Sequence, residues 1–110
     1  MNYLMEQRTI KIKFEYKCFP VWIYGEDNHL IENDLPEYLI GDSEINLLFE
    51  RLQEKYDALF IDDGSKFEFK GFLDIKEKKE FYDEVIYGAR KLEEKLKIGD
   101  LLDCSSIKCD

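Results

Sequence analysis

The sequence predicts an α+β fold, a two-layer sandwich in which two helices cover one face of a mostly antiparallel sheet. The first observation is a strict alternation of apolar and polar residues over residues 9–18, which is typical of a half-buried strand. The second is the helical spacing of apolar residues in two later segments. The third is a set of turn signals that join neighbouring strands as hairpins. Together they predict the element order β-β-β-α-β-β-α.

Three strands are predicted in the first third of the chain. Residues 9–18 form the first. FPVWIY, residues 19–24, is apolar on both faces and fits a central strand, and HLIEN, residues 29–33, is typical of a short return strand after the turn GEDNH. A loop follows, because Pro36 disfavours the helical conformation at Leu35.

The first helix and a second hairpin are predicted in the middle of the chain. Asp42 or Ser43 can cap the helix. One apolar stripe then follows at helical spacing: Ile45, Leu48, Phe49, Leu52 and Tyr56. Beyond it, Asp63-Gly64 between two apolar runs is a strong signal for a tight turn joining two short strands.

The second helix is expected from residue 75 to about residue 97. Asp74 and Glu77 have the spacing of a capping box at its start, and Gly99 ends it. Since residues 100–110 show no periodicity, they are expected to form a loose C-terminal tail. Residues 1–99 are therefore predicted to make up a single α+β domain.

The composition favours a folded chain despite a net charge of -9. Of the 110 residues, 45% are hydrophobic and 15% are aromatic, whereas disordered chains are poor in aromatic residues. No apolar run approaches the 18 residues or so that span a membrane. The first residues show no basic segment followed by an apolar one, so no secretory signal is visible and the cytoplasm is the expected compartment.

Nearly all of the excess negative charge lies in the middle of the chain. Residues 26–63 hold twelve acids and two bases, a net charge of -10, whereas the flanking segments carry +2 and -1. Acidity that serves only solubility would explain this pattern, but a field of one sign also steers a charged partner. Such a field repels phosphate backbones and anionic membranes. The expected partner is a basic protein, not a nucleic acid or a membrane.

The sequence contains few candidates for chemistry, and no cofactor or small-molecule substrate is indicated. It lacks the phosphate-binding, nucleophile-elbow and zinc-protease motifs. The one histidine, His29, lies in a predicted turn. A metal-assisted hydrolase is an alternative if the carboxylates of the two turns meet in space: Glu26, Asp27, Asp62 and Asp63.

Three cysteines are present, and none has the spacing of a zinc site. Cys18 lies in the first predicted strand and is expected to be a small core residue. Cys104 and Cys109 are spaced C-x4-C, unlike the C-x2-C of a zinc knuckle. These two can form a disulfide on oxidation in vitro.

Two stretches of the chain resemble the small acidic immunity proteins of bacterial polymorphic and contact-dependent toxin systems. They are YKCFPVWIYGEDNHLIENDLPEYL, residues 16–39, and YDALFIDDGSKFEFKGF, residues 56–72. The resemblance implies a cytoplasmic, non-enzymatic protein that forms a tight one-to-one complex with a cognate toxin domain. Many such toxins are nucleases with basic clefts, which agrees with the acidic middle segment.

If the resemblance holds, the contacts should come from the acidic segment. Tyr38, flanked by Pro36 and Gly41, is the candidate for an exposed aromatic anchor. The full set of candidate partner-binding residues is Glu32, Asp34, Glu37, Tyr38, Asp42 and Glu44, with Asp62 and Asp63 as further members. A non-inhibitory interaction or regulatory module that uses the same acidic face is the second interpretation.

Overall fold

A computed structural model describes residues 7–105 and residue 107, and it confirms the α+β prediction. Six strands and two helices are present in these residues, and a short 3-10 helix at Glu37–Leu39 precedes the first helix. The strands are β1 Arg8–Ile12, β2 Val21–Tyr24, β3 Leu30–Glu32, β4 Phe60–Asp62, β5 Phe67–Phe69 and β6 Asp100–Asp103. The helices are α1 Ser43–Asp57 and α2 Ile75–Lys95.

Four strands form the main sheet, in the order β3-β2-β1-β6. β2 pairs antiparallel with β3 around the predicted GEDNH turn. β1 also pairs antiparallel with β2, although no turn was predicted between these two strands. β6 lies on the other side of β1 and runs parallel to it. β4 and β5 form a separate antiparallel hairpin around the predicted Asp63-Gly64 turn, where Gly64 has a φ of 89°.

The prediction that residues 100–110 form a loose tail is wrong for Asp100–Asp103, which form β6, so the domain extends past residue 99. Gly99, with a φ of 100°, allows the chain to turn back from α2, and the Arg8 amide donates to the Gly99 carbonyl at 2.7 Å. Because β6 pairs with a strand at the opposite end of the sequence, no local pattern marks it. Residues 106 and 108–110, including Cys109, lie outside the described residues.

The first strand is shorter than the alternation over residues 9–18 predicts, because it ends at Ile12. A turn follows, in which the Cys18 amide donates to the Glu15 carbonyl at 3.1 Å and Lys17 has a φ of 61°. The apolar residues beyond Ile12 are not part of the strand. The rings of Phe14 and Tyr16 pack against aromatic residues of α1 and β4 instead.

The core lies between one face of the main sheet and the two helices, as the two-layer prediction requires. Both helices begin at the predicted caps, since Asp42 accepts from the Ile45 amide at 3.1 Å and Asp74 from the Glu77 amide at 2.8 Å. The buried members of this core include Ile10, Ile12, Val21 and Ile23 from the sheet, Ile45, Phe49 and Leu52 from α1, and Val85 and Leu92 from α2. Among the described residues, neither helix is both long and apolar enough to cross a membrane.

Gly88 sets how closely the two helices approach each other. It is buried in α2, and a Cβ added there would lie 2.7 Å from Leu48 Cδ2 and 3.4 Å from Phe49 Cζ of α1. Real Cβ atoms do not come that close to another carbon, so any side chain at this position must displace α1 side chains.

We expect Gly88→Leu to lower the free energy of unfolding by about 1–2 kcal/mol. Leucine gains about 1 kcal/mol of helix propensity over glycine. Overpacking a filled core costs about 1–3 kcal/mol, and we expect the upper part of that range because a leucine extends well beyond the Cβ position. The matched control is Gly41→Leu, because no atom lies within 4 Å of the Cβ position at Gly41. Urea denaturation measures both variants, and equal stability of Gly88→Leu and the wild type would contradict the close packing.

Candidate functional site

The eight predicted partner-binding residues do not form one patch, because two of them, Asp42 and Asp62, lie near opposite ends of α1. Asp42 caps the start of the helix, and Asp57 is its last residue. Fifteen residues of helix separate them by about 22 Å. Asp62 lies near the far end, since Tyr16 Oη is 3.5 Å from Asp62 Oδ2 and the neighbouring Lys17 amide donates to Asp57 at 2.9 Å.

A hydrogen-bonded network around Asp100 occupies the end of the molecule near the start of α1. Arg8 donates to Asp100 through Nε and Nη2, both at 2.8 Å, in a bidentate pair. The same guanidinium also donates to Glu37, with Nη1 at 3.0 Å from Oε1. The Asp100 side chain is almost completely buried, and Arg8 is about one-fifth exposed. The predicted contact Glu37 is therefore part of a structural network.

Tyr38 is not the exposed anchor that its Pro and Gly neighbours suggested. Its ring is half-buried and packs against the core, and its hydroxyl donates to Asp100 Oδ2 at 2.6 Å. The same hydroxyl accepts from the Lys97 amide at 2.9 Å, and Lys97 Nζ lies 4.7 Å from the ring centre. The partners of Tyr38 lie about 60 residues away in sequence, which is why the local pattern missed them.

The environment of Asp100 keeps it ionised. Burial by itself raises the pKa of a carboxyl group, but the hydrogen bonds from Arg8 and Tyr38 and the charge of Arg8 outweigh it, so the pKa of Asp100 lies below its ordinary value. The pKa of Arg8 is raised, mainly by its hydrogen bond to Asp100. Arg8 and Asp100 therefore form a charged pair at pH values near neutrality.

Lys95, the last residue of α2, neutralises two more of the predicted contacts. Its ammonium group lies 2.6 Å from Asp42 Oδ2 and 3.3 Å from Glu44 Oε1. The pKa of Asp42 is lowered, first by the hydrogen bond from Lys95 and then by the Ile45 amide that it caps. Asp42 therefore links α1 to α2, and these contacts within the fold explain its lowered pKa.

Glu32 and Asp34 lie at the free edge of the main sheet. β3 is an edge strand in which Leu30, Ile31 and Glu32 are all exposed. Asp34 is half-buried and accepts from the Leu35 amide at 2.7 Å. Neither carboxylate has a cationic side chain within ion-pair distance in the described part of the chain.

The sequence interpretation missed Glu50 and Glu54 as available carboxylates. Both lie on the exposed side of α1, away from the buried stripe. The two basic residues of the acidic segment do not form ion pairs with them in the described structure, because Arg51 and Lys55 both contact Glu84 of α2. Helical spacing alone could have found this pair, since residues four apart lie on one face.

Asp62 and Asp63 differ in what their carboxylates do. Asp63 Oδ1 accepts from the Ser65 amide at 3.1 Å and from the Lys66 amide at 3.0 Å, which stabilises the hairpin turn. These hydrogen bonds lower the pKa of Asp63. Asp62 is exposed at the end of β4, where only the long contact to Tyr16 reaches its carboxylate among the described residues. Asp62 is therefore the freer of the two.

The carboxylates proposed for a metal-assisted hydrolase do not come together. Among residues 7–105 and 107, no group of three or more His, Cys, Asp or Glu side chains converges on one point. Asp27 contacts His29 within its own turn, and Glu26 accepts from the Gln7 amide at 3.2 Å. The metal-site alternative built on Glu26, Asp27, Asp62 and Asp63 is therefore wrong.

The two described cysteines, Cys18 and Cys104, are unpaired. Cys18 is half-buried, and Cys104 is exposed at the end of β6. Neighbouring protein atoms displace part of the water around the Cys104 thiol and raise its pKa, and the nearby Glu93 and Asp103 charges add to this, so the thiolate is disfavoured.

No protein-family model matches this chain, and no curated protein is detectably similar to it in sequence.

We expect Asp100→Asn to lower the free energy of unfolding at neutral pH by about 2 kcal/mol, because it weakens charge-assisted hydrogen bonds from Arg8 and Tyr38. The folded-state pKa of Asp100 is depressed, so its contribution is present above the ordinary pKa of an aspartate, about 3.9, and is lost as the pH falls through the folded-state value. The variant should therefore lose less stability on acidification than the wild type does.

Urea denaturation at neutral pH and at a series of lower pH values measures this effect. Asp103→Asn is the matched control on the same strand, because its amide oxygen can still accept from the Ser105 amide. If Asp100→Asn were as stable as the wild type throughout the series, the pair would contribute nothing net to the fold.

Proposed function

We propose that this chain is an inhibitory binding protein of the immunity class, which binds one copy of a basic toxin domain and blocks it. The observation that carries the proposal is the negative charge of residues 26–63 that the rest of the described chain leaves unneutralised. The proposed role is binding and not catalysis, and the proposed compartment is the cytoplasm, as the resemblance to immunity proteins implies.

The structure allows the charge of this segment to be followed residue by residue. Of its twelve carboxylates, Asp27 contacts His29, Glu37 contacts Arg8, and Asp42 and Glu44 contact Lys95. The other eight have no basic side chain within ion-pair distance among the described residues: Glu26, Glu32, Asp34, Glu50, Glu54, Asp57, Asp62 and Asp63. Most of the segment's charge therefore remains available to an external partner.

This charge favours a protein partner of the opposite sign. Exposed carboxylates beside exposed apolar groups, such as Glu32 beside Leu30 and Ile31, combine steering with apolar contact area. Electrostatic steering accelerates association with a basic surface and weakens as salt screens the field. Nucleic acids and anionic membranes would be repelled by the same charge.

The choice of a toxin as the partner depends on the resemblance of residues 16–39 and 56–72 to immunity proteins. A non-inhibitory module would use the same acidic surface and bind without protecting cells. Co-purification with the C-terminal domain of the protein encoded by the adjacent reading frame, followed by a growth assay, separates the two. A stoichiometric complex that also abolishes toxicity supports the immunity role, whereas a complex without protection supports the regulatory module.

We expect the double variant Glu50→Lys, Glu54→Lys to associate with that domain about tenfold more slowly at low salt, because it reverses two of the three unpaired carboxylates on α1. Glu93→Lys, Glu94→Lys is the matched control, since it makes the same change in net charge on the exposed side of α2. Stopped-flow or surface plasmon resonance at low and high salt measures the rate constants. Equal rates for the two double variants would show that total charge and not this surface controls association.

A further inference from the structure

We propose that the β4–β5 hairpin is the docking element of this protein, with Phe67 and Phe69 as apolar anchors and Asp62 as the charged contact. The inference deepens the proposed function and rests on it. The partner that fits is a basic protein with an apolar pocket beside a lysine or arginine, at the entrance of a cleft that admits a narrow two-stranded ribbon.

Three of the hairpin's aromatic residues share one face with Asp62. Phe60 pairs with Phe69 and Asp62 pairs with Phe67, and paired residues on antiparallel strands point to the same side. The rings of Phe60 and Phe67 are stacked at 5.3 Å, and the rings of Phe60 and Phe69 lie 5.1 Å apart. Despite these contacts, Phe67 remains 55% exposed and Phe69 58% exposed.

The exposed rings are held in place from below. Tyr16 contacts both Phe60 and Phe67, at 4.9 Å and 4.8 Å between ring centres, and Tyr56 of α1 contacts Phe60 at 5.3 Å. At the base of the hairpin, the Lys70 amide donates to the Leu59 carbonyl at 2.8 Å. The hairpin therefore presents its aromatic side chains in a fixed arrangement, which lowers the entropy lost on binding.

The hairpin and its base carry three carboxylates and two lysines, Lys66 and Lys70, and one of the carboxylates is available for a partner. Asp63 is used by the turn, and Glu68 lies 3.4 Å from Lys66. Asp62 has no cation within ion-pair distance in the described residues, although it lies beside the exposed Phe67 ring. An exposed aromatic beside a free carboxylate is the combination that binding hot spots use.

A second aromatic surface, on the open face of the main sheet, already has its contacts. There, Trp22 is nearly buried and its indole N–H donates to the Lys13 carbonyl at 3.0 Å. Lys13 Nζ lies 4.8 Å from the centre of the Trp22 ring and donates to the Tyr24 hydroxyl at 2.7 Å. No such lysine lies over Phe67 or Phe69 in the part of the chain that the structure describes.

The charge of the hairpin also selects among possible occupants. A nucleic acid would bring phosphates towards Asp62 and Asp63, and a second copy on a two-fold axis would bring the same carboxylates into one interface, where like charges repel. A partner with a lysine or arginine beside an apolar pocket satisfies both features of the hairpin. A basic protein is therefore the occupant that the surface fits.

The test measures binding of Phe69→Ser and Asp62→Asn to the tagged toxin domain from the adjacent reading frame. We expect Phe69→Ser to raise Kd at least tenfold, mainly through faster dissociation, and Asp62→Asn to slow association and reduce its dependence on salt. Ile98→Ser is the matched control, because Ile98 is 87% exposed in the loop after α2. Phe69→Leu keeps an apolar side chain and should retain more affinity than the serine variant.

Thermal unfolding of each variant shows whether a loss of binding reflects a loss of folding. If Phe69→Ser unfolds the hairpin, Asp62→Asn still tests the inference. Asp62 makes no strong contact, so this substitution should leave the hairpin folded. If the wild type binds the domain and both hairpin variants bind it equally well, the docking inference is wrong and the proposed function stands. If the wild type does not bind the domain, both are wrong.

Discussion

The pairing of Arg8 with the buried carboxylate of Asp100 is the constraint on which the arrangement of the main sheet depends. It joins the first described strand to the last one, and through Glu37 and Tyr38 it also holds the 3-10 helix against them. A buried carboxylate without its donors Arg8 and Tyr38 would be costly, so these three groups stabilise the fold as a unit. The acidic loop before α1 has a fixed position because of this network.

Local features of the fold were predictable from the sequence, and distant pairings were not. The caps at Asp42 and Asp74 and the Asp63-Gly64 turn depend on neighbours within four residues, and all three are where the pattern placed them. β6 and the Arg8–Asp100 pair depend on contacts across 92 residues, which no periodicity records. The early end of β1 has a similar cause, since Phe14 and Tyr16 are drawn to distant aromatic rings.

The same distinction applies to the candidate binding surface. The sequence shows which segments are acidic. It does not show which carboxylates form ion pairs with basic residues that are distant in sequence. Lys95 forms ion pairs with Asp42 and Glu44. Glu50 and Glu54 remain without an ion pair, since the nearest basic residues of α1 contact Glu84 of α2 instead. Exposure of Phe67 and Phe69 could not be foreseen either, because an F-x-F run is equally typical of a buried strand.

The parallel pairing of β1 with β6 has a consequence for how the protein is made. Arg8 lies opposite Asp100 in the register, so the sheet is completed only after nearly all of the described residues have been synthesised. Closing so long a loop costs chain entropy before any contact offsets it. Until Asp100–Asp103 have been synthesised, one edge of β1 therefore has no neighbouring strand, and Arg8 lacks its carboxylate partner Asp100. The helices and the β4–β5 hairpin, whose backbone hydrogen bonds join residues close in sequence, can begin to form before the final strand arrives.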